Sequence, residues 1–416
     1  MFKDYILAVL AGACMIMAPA IQAAAPDVAA PVLTAWVNET LQQNPQLQAA
    51  EAAVNVASGH YRAADRPLFN PELEIEYENS DTTIAAGGLN QAIDWADKRG
   101  ARAEVADYGQ IAARAELRST RQRLAAELLQ GLADWNAKQA ISRVSAEQTT
   151  LMTRFARLAE QRWQAGDLNR VELELAHLAF AEAAFEQASA RQDLILATRT
   201  LTVLTGSGVA GIPALASQPP VLEQEQINTE RLLNELPVMQ VAIAQVAAAR
   251  AGVELTVREK KPDPILGFRI GKEDSTTLTG LTFSVPLFVR NTFSAEVDVA
   301  NASLIRIERE AANIRREASA DLVATAQVYQ SARLAWNNWE ASGALRLNER
   351  TELLERLWKA GELNTTDYLV QLKQALDTEV GAINQHGRMW QAWAAWLAAS
   401  GLADQWLNLI PAGDQP

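Results

Sequence analysis

The sequence predicts a mainly α-helical protomer with a small β part, built as a tandem repeat and unable to close its own sheet. Three observations carry this expectation. The stretch "WQAGDLNRVEL" at 163–173 returns as "WKAGELNTTDY" at 358–368. Two long stretches are free of proline, from Pro71 to Pro213 and from Pro286 to Pro411; proline is excluded from helix interiors by its ring and missing N–H, so its absence permits very long helices. Beside the start of each such stretch lies a short run that alternates apolar and polar residues, the period of a strand.

The duplication is dense in landmarks. Trp163, Gly166, Leu168 and Asn169 map onto Trp358, Gly361, Leu363 and Asn364 at an offset of 195, and Gly206 maps onto Gly401 at the same offset. Upstream, Pro45 matches Pro237 at 192, and "NPELEIEY" from Asn70 matches "DPILGFRI" from Asp263 at 193. Drift of so few residues requires only small loop insertions. The expected organisation is a signal-like segment 1–25, a first repeat 26–206, a linker 207–226, a second repeat 227–401 and a C-terminal tail 402–416.

From the N-terminus, Lys3, the apolar run Tyr5 to Met17 and the small residues ending at Ala25 resemble a secretory signal cut near Ala23 to Ala25, so the mature chain is expected outside the cytoplasm. The single cysteine, Cys14 in "LAGAC", sits near a lipoprotein signal, but Ala11 stands where such a signal favours Leu. Once the segment is removed no thiol remains for disulfides or thiolate metal sites. The three histidines, His60, His177 and His386, lack ligand spacing, and no phosphate-cradling glycine loop occurs, so neither an enzyme nor a cofactor is expected. A net charge of −13 argues against nucleic acid and is compatible with handling cations.

Residues 33 to 66 read as a short helix followed by a longer one from Pro45. "ELEIEYEN" places Leu73, Ile75 and Tyr77 on one strand face; "SDTTIAAGG" reads as a turn, and "GGLNQAIDW" as the returning strand with Leu89, Ile93 and Trp95 on one side. That makes a strand pair about 71–95, and "PILGFRIGKED" with "LTGLTFSVPLF" makes a second about 264–288.

Lys98 to Gln164 reads as one helix of 67 residues, roughly 100 Å at 1.5 Å per residue. Leu124, Leu128, Leu132 and Trp135, then Val144, Leu151, Phe155 and Leu158, step by threes, fours and sevens, as do Ala318, Leu322, Thr325, Tyr329, Ala332, Trp336 and Trp339. Such narrow, Ala-rich seams leave more than one polar face, which suits the wall of a hollow tube better than a solid bundle. In "AGDLN" and "AGELN" the glycine permits positive φ and the following acidic and amide residues can cap the next helix, so each motif reads as the tip of a helical hairpin. Trp390, Trp393 and Trp396 are expected to pack against neighbouring helices rather than form a membrane-interface belt.

Four strands of eight to eleven residues suffice to cross a bilayer, but a spanning sheet tolerates no open edge and bacterial barrels begin at eight strands. Three copies would give twelve strands and room for a lumen.

At this point the chain resembles the TolC-like outer-membrane efflux proteins over nearly all its length. The resemblance rests on the tandem repeat, the paired tips, "VPLFVRN" at 285–291 and the glycine-terminated helices at 206 and 401. "NPELEIEYEN" with "LNQAIDWADKRGAR" is similar to the CzcC-type branch, the outer components of heavy-metal resistance-nodulation-division pumps; that branch commonly has a Gly-Gly pair before "KR", where this chain reads "WADKR".

The resemblance implies a homotrimer with a twelve-stranded barrel in outer-membrane lipid and an α-helical coiled-coil barrel in the periplasm. It implies an exit duct working with a periplasmic adaptor and an inner-membrane RND transporter, exporting heavy-metal cations or, alternatively, drugs or a type I secreted protein. A periplasmic adaptor would instead carry one hairpin and no duplicated strand pairs. By the same resemblance Gly166, Leu168, Asn169, Gly361, Leu363 and Asn364 meet the adaptor. Glu172 and Asp367, six residues past each tip glycine, would line the closed entrance, with Val370 where relatives add a second acid. The competing view of these two carboxylates is that they merely favour a helix dipole.

Overall fold

Every element of the first repeat has a counterpart in the second. The computed structural model describes residues 28–409 apart from 207, 209–210, 223–227, 344–352, 355 and 359; the signal-like segment with Cys14, part of the linker and the end of the tail lie outside the described residues. Helices α1 (Pro31–Gln43) and α2 (Pro45–Ala64) precede strands β1 (Glu72–Asn79) and β2 (Thr83–Ala92), then α3 (Lys98–Gln164) and α4 (Arg170–Thr205). The second repeat gives α5 (Thr229–Glu235), α6 (Pro237–Glu259), β3 (Ile265–Glu273), β4 (Thr276–Ser284), α7 (Ser294–Ser342) and α8 (Thr365–Ser400), followed by a short α9 (Ala403–Trp406). Prolines open α1, α2 and α6, where the missing N–H is one the first turn would leave unpaired anyway.

The four strands form one antiparallel sheet in the order β1-β2-β3-β4, with the hairpin of each repeat joined through β2 and β3. Register aligns Leu73, Leu89, Phe268 and Leu281 in one row across all four strands. With Ile75, Tyr77, Ile270 and Phe283 they make an apolar face that is open in the protomer: Ile75 is 78% and Leu281 87% exposed. The opposite face is polar, where Arg269 pairs with Glu76 at 2.6 Å and Asn90 donates to Glu74 at 3.0 Å. Among the described residues β1 and β4 are unpaired edges.

The strand pairs differ from expectation at their ends. β2 begins at Thr83, directly after a three-residue turn, so "TIAAGG" is strand rather than turn, and Ile93 to Trp95 lie beyond it. Gly88 sits mid-strand because a Cβ there would approach the Phe268 carbonyl at 3.0 Å; at Gly271 it would meet Ala86 Cβ at 2.5 Å. Glycine here answers to close backbone approach in the sheet, not to a turn. After Ala92 the chain turns to cap α3: Asp94 accepts from the N–H groups of Lys98 and Arg99, both at 2.8 Å.

Helix α3 is the spine. It packs against α2, α4, α6 and α8, while α7 packs on α6 and α8. Leu124, Leu128, Leu132, Val144 and Phe155 are buried along it, and Leu322 and Tyr329 along α7. α6 is long and apolar enough to cross a membrane by composition, but it lies against α3 and α7.

The largest core cluster gathers Trp390, Trp393 and Trp396 from α8 with Tyr329 and Trp406, so these tryptophans are interior packing residues. Trp406 and Leu407 belong to the region expected to be a tail; instead α9 tucks Trp406 against Trp393, ring centroids 5.7 Å apart. Beside this cluster runs the described part of the linker, held by its carbonyls. The Tyr329 hydroxyl donates to the carbonyl of Pro220, Arg333 to that of Pro219 at 2.6 Å and Trp390 to that of Ala216 at 3.1 Å, while His386 contacts the Ser217 carbonyl at 2.9 Å. Burial pushes the Tyr329 phenol above its usual range, against the pull of Arg333.

Candidate functional site: the paired hairpin tips

Each residue of the repeated motif has a local folding role. At the end of α3 the Asp167 N–H donates to the Arg162 carbonyl at 2.9 Å and the Gly166 N–H to that of Trp163 at 3.0 Å. This is a Schellman stop, and it requires the left-handed conformation Gly166 adopts at φ 83°. The second tip repeats it, with Glu362 N–H to Leu357 at 3.0 Å, Gly361 N–H to Trp358 at 3.1 Å and φ 77° at Gly361.

The restart is equally local. Asn169 caps α4 by accepting from the Glu172 N–H at 2.9 Å, and Glu172 Oε2 accepts in return from the Asn169 N–H at 3.2 Å, a complete capping box. Asn364 caps α8 from Asp367 N–H at 2.8 Å and donates its own amide to Asp367 Oδ2 at 2.7 Å. Leu168 and Leu363, just before each cap, pack into the same cluster as buried Leu173 and Tyr368 four residues into each helix, the position of a hydrophobic staple.

That cluster joins the two tips into one body. Phe155 from α3, Trp358 and Tyr368 form a triangle of rings, with centroids 4.6 Å apart for Phe155 and Trp358 and 5.3 Å apart for each ring with Tyr368. Lys373 on α8 reaches Glu182 on α4 at 2.7 Å and Glu186 at 3.5 Å. The bond to Glu182 holds the Lys373 ammonium above its usual range. Gly166 and Gly361 themselves face open space.

Comparison with known proteins completes the picture. The sequence model of the family described as "Outer membrane efflux protein" matches residues 36–207, ending where the first repeat ends. The first repeat thus matches this family over its length. The second repeat is related to the first by internal duplication, and the fold likeness to solved structures extends over both halves. The Campylobacter jejuni CmeC outer membrane channel superposes with a TM-score of 0.75 over 89% of this chain and 86% of that one, at 16% identity. Two curated proteins also match. The nickel-cobalt-cadmium resistance protein NccC of Alcaligenes xylosoxydans xylosoxydans is 26% identical over 318 residues, 71% of each chain. The cobalt-zinc-cadmium resistance protein CzcC of Cupriavidus metallidurans is 25% identical over 264 residues, 60% of this chain and 61% of its own.

Two features of this chain escape its sequence. The matching tip tryptophans part company: Trp358 is 3% exposed and Trp163 43%. Higher in the hairpins, Glu379 on α8 is half-buried, and its carboxyl is pushed above the usual range first by burial and then by Glu147 on α3, while Arg143 pulls it down. No spacing along the chain joins residues 147 and 379; only the packing of α3 on α8 does.

Proposed function

We propose that three copies of this chain form the outer-membrane exit duct of a tripartite efflux system, joined through an adaptor to an RND transporter, and that its cargo is heavy-metal cations. The observation that carries the trimer is the four-stranded sheet with one apolar face, one polar face and two unpaired edges. An open edge within lipid leaves backbone groups unpaired, so the sheet needs partners, and three copies supply twelve strands. A second feature supports the same assembly. On α4, Val171, Leu178, Phe185, Leu196 and Val203 are all exposed and fall in one stripe, the helical complement of a neighbouring protomer.

The cargo rests on the named resistances of NccC and CzcC. Deleting the gene is expected to sensitise cells to nickel, cobalt, zinc or cadmium, read as a lowered inhibitory concentration. Unchanged metal tolerance with new sensitivity to dyes or detergents would move the cargo to organic drugs.

At the tips, Gly166, Leu168, Asn169, Gly361, Leu363 and Asn364 are the adaptor contact, with Glu172 and Asp367 forming an acidic entrance. The Glu172 carboxylate also completes the capping box of its helix and that of Asp367 accepts from the Asn364 side-chain amide, so the two roles must be separated by experiment. Glu172→Gln keeps an amide oxygen able to accept from the Asn169 N–H, and Asp367→Asn keeps an acceptor toward Asn364, while the trimer loses six charges that would focus cations. Planar-bilayer recordings of the double variant are expected to show reduced cation selectivity and weaker block by multivalent cations. Unaltered conductance, selectivity and block would leave these residues as caps alone.

A further inference from the structure

Four helices form a row whose two faces differ. α3 packs on α4 and on α8, and α8 packs on α7, while α4 and α7 are not packed neighbours among the described residues. Yet all four border one hollow of about 1280 Å³, which Asp134 of α3, Thr200 of α4, Ser331 of α7 and Arg388 of α8 help to line. A row whose outer members border the same hollow is bent around it, so the hollow lies on the concave side.

The linker marks the other side. Its carbonyls are held by Tyr329 and Arg333 on α7 and by His386 and Trp390 on α8. Ser331 lies two residues from both Tyr329 and Arg333, and Arg388 two residues from both His386 and Trp390. At about 100° per residue each points away from the linker. In a tube closed by several copies the linker-bearing face is therefore the outside of the wall and the hollow its inside.

The charges on this inner face are few. A smaller hollow of about 370 Å³ adjoins the first, and Asp134, Arg388 and Gln391 line both. The other charged side chains that border the two hollows already have partners: Glu127 pairs with Arg123 at 2.7 Å and Lys138 with Asp193 at 2.8 Å. Half-buried Asp134 and exposed Arg388 have no ion pair or side-chain hydrogen bond among the described residues. The concave face thus presents one free carboxylate and one free guanidinium, from helices of different repeats.

We propose, on the exit-duct reading above, that Asp134 and Arg388 set how long a hydrated divalent cation dwells on the inner wall of the duct, near the middle of α3. Asp134 draws the cation to the wall. Arg388, bordering the same hollows, opposes a bound state tight enough to stall it. A conduit needs such a balance, because an ion held too firmly does not leave. Three protomers would set three such pairs around the path at one level.

The test uses full-length protein in planar bilayers carrying a potassium current, with cadmium chloride added on the barrel side so that the metal meets this level before the tips. Arg388→Gln is expected to lower the cadmium concentration that halves the current by about fivefold, and Asp134→Asn to raise it by about as much, the Coulomb effect of one unit charge on a divalent ion across several ångströms of water. Gln391→Glu adds a carboxylate to the same hollows and should strengthen the block, which keeps a test available if either of the first two variants does not fold. The control is Arg231→Gln, an equal loss of charge beside Pro220 and Val221 on the linker side; it should leave the block in place. Conducting channels whose cadmium block is unmoved by Arg388→Gln, Asp134→Asn and Gln391→Glu, or moves as far in Arg231→Gln, would overturn the proposal while leaving the duct standing. Protein that inserts but carries no current would instead refute the duct reading, and this inference with it.

Discussion

Phe268→Arg is expected to cost barrel insertion about 2–4 kcal/mol if that row lies near the bilayer midplane, seen as loss of trimer from the membrane fraction. Phe268 stands between Leu89 and Leu281 on the apolar face, half exposed in the protomer, with no helix among the described residues to shelter a charge. Ile75→Arg, on the same face, should behave alike. Glu74→Gln is the informative control, because Glu74 lies on the polar face, where its partner is the Asn90 amide. Its removal should leave insertion intact. If arginine at Phe268 were tolerated as easily as glutamine at Glu74, the apolar face would not meet lipid, and the barrel would have to be given up.

The second large effect separates two tryptophans that the repeat makes equivalent. Trp358→Ala is expected to destabilise the protein by about 3–5 kcal/mol, because it empties a site between Phe155 and Tyr368 and removes the ring under the Arg162 guanidinium at 4.9 Å. A lowered midpoint of thermal unfolding in detergent reads this out. Trp163→Ala should change stability by about 0.5 kcal/mol or less, as for most exposed positions, yet weaken metal export if the exposed ring is part of the adaptor contact. Full metal tolerance in a Trp163→Ala strain would remove that residue from the contact. Equal destabilisation by the two substitutions would contradict their unequal burial.

This pair also shows where a sequence stops being informative. The stop and restart at each tip are local events, written within eleven residues, so glycine, leucine, asparagine and the acid could be read with their neighbours in view. Helix α3 was likewise legible, because its seam of Leu124, Leu128 and Leu132 repeats along one element. Whether a tip tryptophan is covered depends on the other hairpin, which no local spacing records. The same limit explains β2: Gly87 and Gly88 resemble a turn until β3 is placed beside them and the close approach of Phe268 becomes visible. It explains α9 too, where Trp406 looks like part of a tail until α8 supplies Trp393 as its neighbour. Glu172 and Asp367 illustrate a different difficulty. Glu172 completes a capping box and Asp367 accepts from the side chain of the capping Asn364, so position alone says nothing about a second duty.

The clasp on the linker has a consequence for how the molecule can vary. Tyr329, Arg333 and Trp390 grip main-chain oxygens, which every amino acid presents alike, and two of the three belong to Pro219 and Pro220. Side chains along this crossing are therefore largely interchangeable so far as the grip is concerned. Its length is not. Adding or deleting one residue between Ala216 and Pro220 would shift each oxygen past its donor, so the segment works as a cut-to-measure tether, tolerant in spelling and strict in slack.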